Sequence, residues 1–404
     1  MTRRGPDSCP GVLRLHEAAD GPLARIRVPG GRLESAQMHA LAQVAQDAAD
    51  GPLELTARGN VQVRGVHDVS ALTRRLTEVG MVPSRTHERV RNIVASPLSG
   101  RIGGGVDVHP LAAALDAGIL AAPRLADLPG RVLFTLDDGR GDVSGLGADI
   151  GVHALAQGEF ALVLAGSDSG VRLAAEDVVE VVLAAAHAFL ELRGNTSNYW
   201  RLSDIEHGSR HLIDRLGCTP TADRLEFTAT PSIPIGWLEQ NDGLIGLGAG
   251  VRLGTLSART AEFLAATERP TILTPWRSLV LTDLSEAAAD TVVRVLAPMG
   301  LIFDRDSPWL LVSACAGLPG CAKSHADVRA DAAAAVGTGR MPPETAAGES
   351  TTATQDAPRG RQHWSGCERR CGRPRGQVTD IVATHAGYRI DRSSSTSTSP
   401  PPDL

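Results

Sequence analysis

Four of the six cysteines form two short pairs. Cys315 and Cys321 enclose five residues, Cys367 and Cys371 enclose three, and 45 residues separate the pairs. Four thiolates in such a set hold zinc or an iron–sulfur cluster, and the spacing by itself leaves the two open. Ala314, Ala316, Gly317, Gly320 and Ala322 surround the first pair. Small residues there let backbone N–H groups approach sulfur closely. A helix expected over Lys323–Ala335 would direct its N-terminus at Cys321 and favour an anionic centre. Cys9 and Cys218 stand alone and read as packing residues.

Two further groups carry chemistry. Asp137, Asp138 and Asp142 lie within one Asp-Asp-Gly-Arg-Gly-Asp run. They suit acid–base work or a metal ion, or a tight turn capped by Asp side chains; Asp142 is the catalytic candidate among them. His363, four residues before Cys367, is a second candidate, placed to hydrogen-bond a cluster or a substrate. No Gly-x-Gly-x-x-Gly follows a strand, and no phosphate-binding Gly-x-x-x-x-Gly-Lys run occurs. A nicotinamide cofactor is therefore not expected to dock in a Rossmann unit here.

The elements that must position these residues repeat. Leu23–Val28 reads as a strand, Glu34–Ala49 as a helix, Leu53–Thr56 and Val61–Val63 as strands, and Val69–Val79 as a helix. The same order returns with a helix at Ala258–Ala266, strands at Thr271–Thr274 and Leu279–Leu281, and a helix at Glu286–Leu296. The stretch from Thr56 to Val63 lies over Thr274 to Leu281 at an offset of 218, and Ala95-Ser96 falls near Ala314-Cys315. A period of about half the chain means two fused homologous halves rather than a solenoid. The expected organisation is α+β: two ferredoxin-like half domains packed together (11–80 and 225–300), a middle lobe (90–216) and a cysteine-bearing lobe (305–392). A flexible insertion is expected at 337–361 and a disordered tail at 393–404.

Composition narrows the function. A net charge of −6 and an aromatic share of 3% argue against a nucleic-acid partner. No apolar run is long enough for a membrane span, and the first twenty residues lack a signal-peptide core, so a cytoplasmic protein is expected.

The C-x5-C…C-x3-C pattern with the duplicated unit resembles the sirohaem sulfite and nitrite reductases, over roughly residues 8–391. Thr56–Gln62 resembles the first arginine stretch with which that superfamily contacts its tetrapyrrole; Arg91–Gly100 and Leu128–Arg131 resemble the second and third. Asp137–Val143, Ser365-Gly366-Cys367 and Cys371–Pro374 are similar to one branch, the precorrin-3B synthases of aerobic cobalamin biosynthesis. That resemblance implies a [4Fe–4S] cluster on the four cysteines, a further mononuclear non-haem iron, molecular oxygen, and NADH as an indirect electron source. It implies hydroxylation of precorrin-3A with closure of a γ-lactone. The partners implied are the tetrapyrrole substrate and an external reductase or ferredoxin-like donor. Because such rings carry acetate and propionate groups, Arg58, Arg91, Arg131 and Arg140 become the expected carboxylate anchors.

Two departures matter. Leu133 stands where the reductases have a second lysine, which tilts the reading away from sirohaem. Glu368-Arg369-Arg370 fills the last cysteine loop with long charged side chains, expected to crowd a ring or clamp its carboxylates. The rival readings are a sirohaem-dependent sulfite or nitrite reductase and, outside catalysis, an iron–sulfur redox sensor or carrier or a structural zinc protein.

Overall fold

The computed structural model describes residues 7, 9–194, 198–227, 233–341 and 356–392. The tail at 393–404 and most of the expected insertion, 342–355, lie outside them.

The first half contains β1 (His16–Ala18), β2 (Gly21–Ile26), β3 (Arg32–Leu33), α1 (Ser35–Asp47), β4 (Leu53–Leu55), β5 (Val61–Val63) and α2 (Val69–Glu78). Alternation along the strands buries Ala24, Ile26, Leu53, Leu55, Val61 and Val63 against Leu41, Val44, Leu72 and Leu76 of the helices. Asp68 caps α2 by accepting from the Ala71 N–H at 2.8 Å.

The middle lobe follows: β6 (Ile93–Ala95), α3 (His109–Ala121), β7 (Phe134–Asp137), β8 (Ile150–Ala154), β9 (Glu159–Leu164), β10 (Ser167–Ala174), α4 (Val178–Arg193) and α5 (Gly208–Leu216). Its sheet runs β10-β9-β8-β7-β6, with β6, β7 and β8 parallel and β9 antiparallel to β8.

The second half repeats the first: β11 (Gly236–Glu239), β12 (Ile245–Val251), β13 (Thr255–Leu256), α6 (Ala258–Ala265), β14 (Thr271–Leu273), β15 (Ser278–Leu284), α7 (Glu286–Leu296) and β16 (Leu301–Ile302). The two halves exchange strands. Thr255 and Leu256 of β13 pair with β4, while Arg32 and Leu33 of β3 pair with β14. One hydrophobic core therefore spans both, joining Leu41 and Val44 to Ala261 and Leu264. The duplication extends to the turns. Thr56 N–H donates to the Asn60 carbonyl and Thr274 N–H to the Ser278 carbonyl, each at 2.9 Å. Gly59 (φ 63°) and Arg277 (φ 56°) occupy the same left-handed position.

The last lobe holds β17 (Val312–Ala314), α8 (Val328–Thr338), β18 (Gln362–Ser365), β19 (Thr379–Thr384) and β20 (Gly387–Arg392). Strands β17, β18 and β19 are parallel and β20 is antiparallel to β19, the same directions as β6 to β9. Trp364 is fully buried at its centre. The helix expected from Lys323 begins only at Val328, where Asp327 accepts from the Ala330 N–H. Among the described residues, no helix is long and apolar enough to cross a membrane.

Candidate functional site

Cys315 directly follows β17, and Gly366-Cys367 directly follows the neighbouring parallel strand β18. The carboxyl ends of adjacent parallel strands open outward and leave backbone groups for a ligand. Cys321 and Cys371 join them on two pinned turns. The His325 N–H donates to the Gly366 carbonyl at 2.9 Å, and the Ser324 N–H to the Cys321 carbonyl at 3.0 Å. A Cβ on Gly366 would stand 1.8 Å from Ser324 Oγ, so glycine is required for the two turns to meet. His363 Nε2 lies 3.1 Å from the Cys371 carbonyl and its Nδ1 2.9 Å from Ser313 Oγ.

All four thiols are free of disulfides. Burial and then the Cys321 and Cys367 charges raise the Cys315 pKa, against the Gly366 and Gly317 N–H groups that lower it. Cys371 is pushed up to about 11, first by burial, with Cys315, Cys367 and Cys321 adding to it and Arg369 opposing. Four mutually repelling thiolates are relieved by a cationic centre, whose binding expels their protons. The Gly366 N–H already points at Cys315 Sγ, at 3.2 Å. Among the described residues, the trio of ligand atoms within 4.8 Å of one another is Asp137, Asp138 and Asp142, and it contains no cysteine. Four free thiols with backbone donors nearby are a set that can hold zinc or an iron–sulfur cluster.

The helix-terminus expectation for Cys321 is corrected, since α8 starts after a further turn; the donors to sulfur, the Gly366 and Gly317 N–H groups, point at Cys315. His363 is fully buried, and burial, then the nearby Arg277 charge, lower its pKa to about 3. Its Nε2 donates to the Cys371 carbonyl and so holds the Cys371 turn. In the last cysteine loop Arg370 pairs with Asp380 at 3.0 Å and with Asp391, and Glu368 pairs with Arg389 at 2.7 Å, while the Arg369 charge acts on Cys371.

The sheet of the first half faces this centre with its second side. Arg25, Arg27, Gln62, Arg64 and Glu54 alternate with the core positions. In a solvated sheet that face meets water; here Arg27, Arg64 and Glu54 are buried. Arg64 bonds Asp20 at 2.7 Å and the Gly320 carbonyl at 2.5 Å. Arg329 of α8 bonds Glu54 at 2.6 Å and the Cys315 carbonyl at 3.2 Å. Burial, and next the Arg25 charge, bring Arg27 down to about 9. This buried polar wall was legible in the alternation of β2, β4 and β5, but its burial was not.

The four expected anchors divide. Arg58 Nη1 donates to the Arg131 carbonyl at 3.0 Å, so the first-half turn and the middle lobe meet there. The Arg131 guanidinium, half-buried, makes no hydrogen bond or ion pair among the described residues. Arg91 is corrected: it is buried and clamped bidentately by Asp116 at 2.7 Å. Arg140 is likewise committed, to both oxygens of Asp138 and to the Ile102 carbonyl at 2.6 Å.

Asp137 takes the turn-capping role. Its oxygens accept from the Gly139, Gly141, Val143 and Ser144 N–H groups. Burial opposes ionisation, yet His153 and these donors bring it to about 2. Asp142 goes the other way, raised to about 6 by burial and the Asp137 charge. Ser96 Oγ donates to it at 2.5 Å. Ser96 follows β6 as Cys315 follows β17, so the two lobes carry equivalent strand-end sites, one acidic and one sulfur-rich.

Residues 16–79 match the nitrite/sulfite reductase ferredoxin-like half domain. The chain shares its fold with NirA of Mycobacterium tuberculosis, at a TM-score of 0.70 and 20% identity, covering 91% of this chain and 73% of that one. It is thus an α+β protein of the nitrite/sulfite reductase architecture, carrying that half domain. Over 96% of its length it is 25% identical to a precorrin-3B synthase of Sinorhizobium, of which it covers 82%. Over 91% it is 26% identical to the ferredoxin–nitrite reductase of Synechococcus elongatus, of which it covers 77%.

Proposed function

We propose that this chain is a tetrapyrrole-directed oxidoreductase of the precorrin-3B synthase type. The observation that carries this reading is the meeting of four free thiols with a buried, arginine-rich sheet face, in a chain 25% identical to a precorrin-3B synthase over 96% of its length. Cys315, Cys321, Cys367 and Cys371 would hold a [4Fe–4S] cluster, which supplies one-electron transfer at this site when bound. A partly reduced corrinoid precursor carries a rim of carboxylates. Arg58 and Arg131 would anchor them, since guanidinium forks stay charged and bind carboxylates in pairs. Leu133, buried beside Arg131, withholds the further cation that the reductases place there.

The reaction inserts one atom of O2 into precorrin-3A and releases the other as water. It consumes two electrons and two protons and leaves a hydroxylated ring closed by a γ-lactone. The electrons come from NADH through an external reductase or ferredoxin-like protein. Asp142, raised to about 6, is a buried group able to exchange a proton near neutrality through the Ser96 hydroxyl.

The similarity to a nitrite reductase over 91% of the chain supports one rival, a sirohaem-dependent reductase. A visible spectrum of anaerobically purified protein separates the readings. A broad shoulder that bleaches on reduction, with macrocycle bands appearing only after precorrin-3A is added, is expected. With labelled O2 and a reductant, the product should then gain one labelled oxygen atom. Sharp sirohaem bands in the isolated protein would transfer the assignment to the reductases, and a colourless zinc protein would end both.

A further inference from the structure

Arg277 sits at the turn position that its counterpart in the first half gives to Gly59, with φ 56° against 63°. A left-handed conformation is strained for any side chain bearing a Cβ and persists where the surroundings enforce it. Two glycines make room for this arginine. A Cβ on Gly254 would lie 2.8 Å from its Cδ, and one on Gly372 would lie 2.6 Å from its Nη2. Its Nη2 donates to the Gly372 carbonyl at 3.0 Å, one residue past Cys371.

The charge is placed as deliberately as the stem. Arg64 is neutralised by Asp20 and Arg329 by Glu54, whereas Arg277 has no ion-pair partner among the described residues. Burial and then Arg329 disfavour its charge, while Glu54 and Cys315 favour it. Arg277 is half-buried, and the anions that favour its charge are Glu54, already paired with Arg329, and then Cys315 of the thiol centre.

We propose that Arg277 is a positioning residue for the thiol centre: it fixes the Cys371 turn and supplies the standing positive charge that raises the cluster's reduction potential. The first-half hairpin thus directs Arg58 to the ligand side, and its duplicate directs Arg277 to the cluster side. This rests on the cluster assignment above. The test is a redox titration of the full-length protein followed by EPR, with iron and sulfide counted in each sample. Arg277→Met should keep its iron and shift the oxidised-to-reduced ratio at fixed potential at least tenfold toward oxidised, a fall of about 59 mV for one electron. Full iron content with an unmoved midpoint would overturn the proposal. Should the methionine variant take up no iron, Arg277→Lys decides. A midpoint within about 59 mV of wild type upholds the charge effect, and a larger shift refutes it. Wild-type protein without iron and sulfide would instead remove the cluster assignment itself.

Discussion

Cys321 carries the plainest test of the thiol centre. Replacing it by Ser leaves a hard, weakly acidic ligand at one corner, so iron content and visible absorbance should fall sharply while the fold persists. Unchanged iron in Cys321→Ser would mean that the four thiols do not act as one set. Asp142 gives a pH signature. Its native pKa of about 6 lies above the ordinary 3.8, so the native state binds this proton more tightly than the unfolded chain. Stability from this group is full below about pH 4 and is lost as pH rises through 6, on the order of 2–3 kcal/mol. Asp137, at about 2, has the opposite sign and loses its contribution as pH falls from about 4 to 2. Asp142→Asn keeps an acceptor for Ser96 and should flatten the pH 4–6 part of the unfolding profile. It should also abolish any activity limb near pH 6. A profile identical to wild type would deny Asp142 both roles.

Among the elements, the turns after β17 and β18 bring N–H donors to Cys315, whereas α8 begins only at Val328. Gly366 is the element-scale test. In Gly366→Ala the methyl group would collide with Ser324 Oγ at 1.8 Å, pushing the Cys321 turn from the Cys367 turn. Iron content should drop, and Ser324→Gly in the same chain should restore part of it. Equal iron in the single and double variants would show that the turns adjust independently. The strand ends also explain which candidates the sequence pattern identified. Cys315 and Cys367 are recognisable because they belong to two short cysteine pairs. Arg91, Arg140 and His363 sat in equally suggestive positions. Asp116 and the Cys371 carbonyl come from other elements, 25 and 8 residues away in sequence, while Asp138 lies two residues from Arg140 in the same turn; the folded geometry shows that those partners are taken.

The whole molecule is held together by exchange between its halves. Strands β3 and β13 each complete the other half's sheet, and a Cβ on Gly31 (φ 75°) would lie 2.3 Å from the Leu273 carbonyl of β14. Gly31→Ala should therefore destabilise both halves together by ~2 kcal/mol or more, read as one displaced denaturation midpoint. A displaced transition confined to one half, or none, would contradict a shared core. The middle lobe is docked by Arg101, whose two bonds to Asp283 at 2.8 Å cross 182 residues of chain.

Periodicity and a repeat at an offset of 218 were enough to determine the α+β class and the duplication, and the cysteine pattern singled out four candidate ligands. Each of these is local in sequence or repeats at a fixed spacing, and so leaves a regular trace. The tertiary structure alone decided that Arg91 is committed to Asp116 and Arg140 to Asp138 and the Ile102 carbonyl, that β2, β4 and β5 turn their charged face inward, and that Arg277 meets the turn after Cys371. Those outcomes depend on desolvation and on contacts between residues far apart in the chain, and neither is written in any one segment.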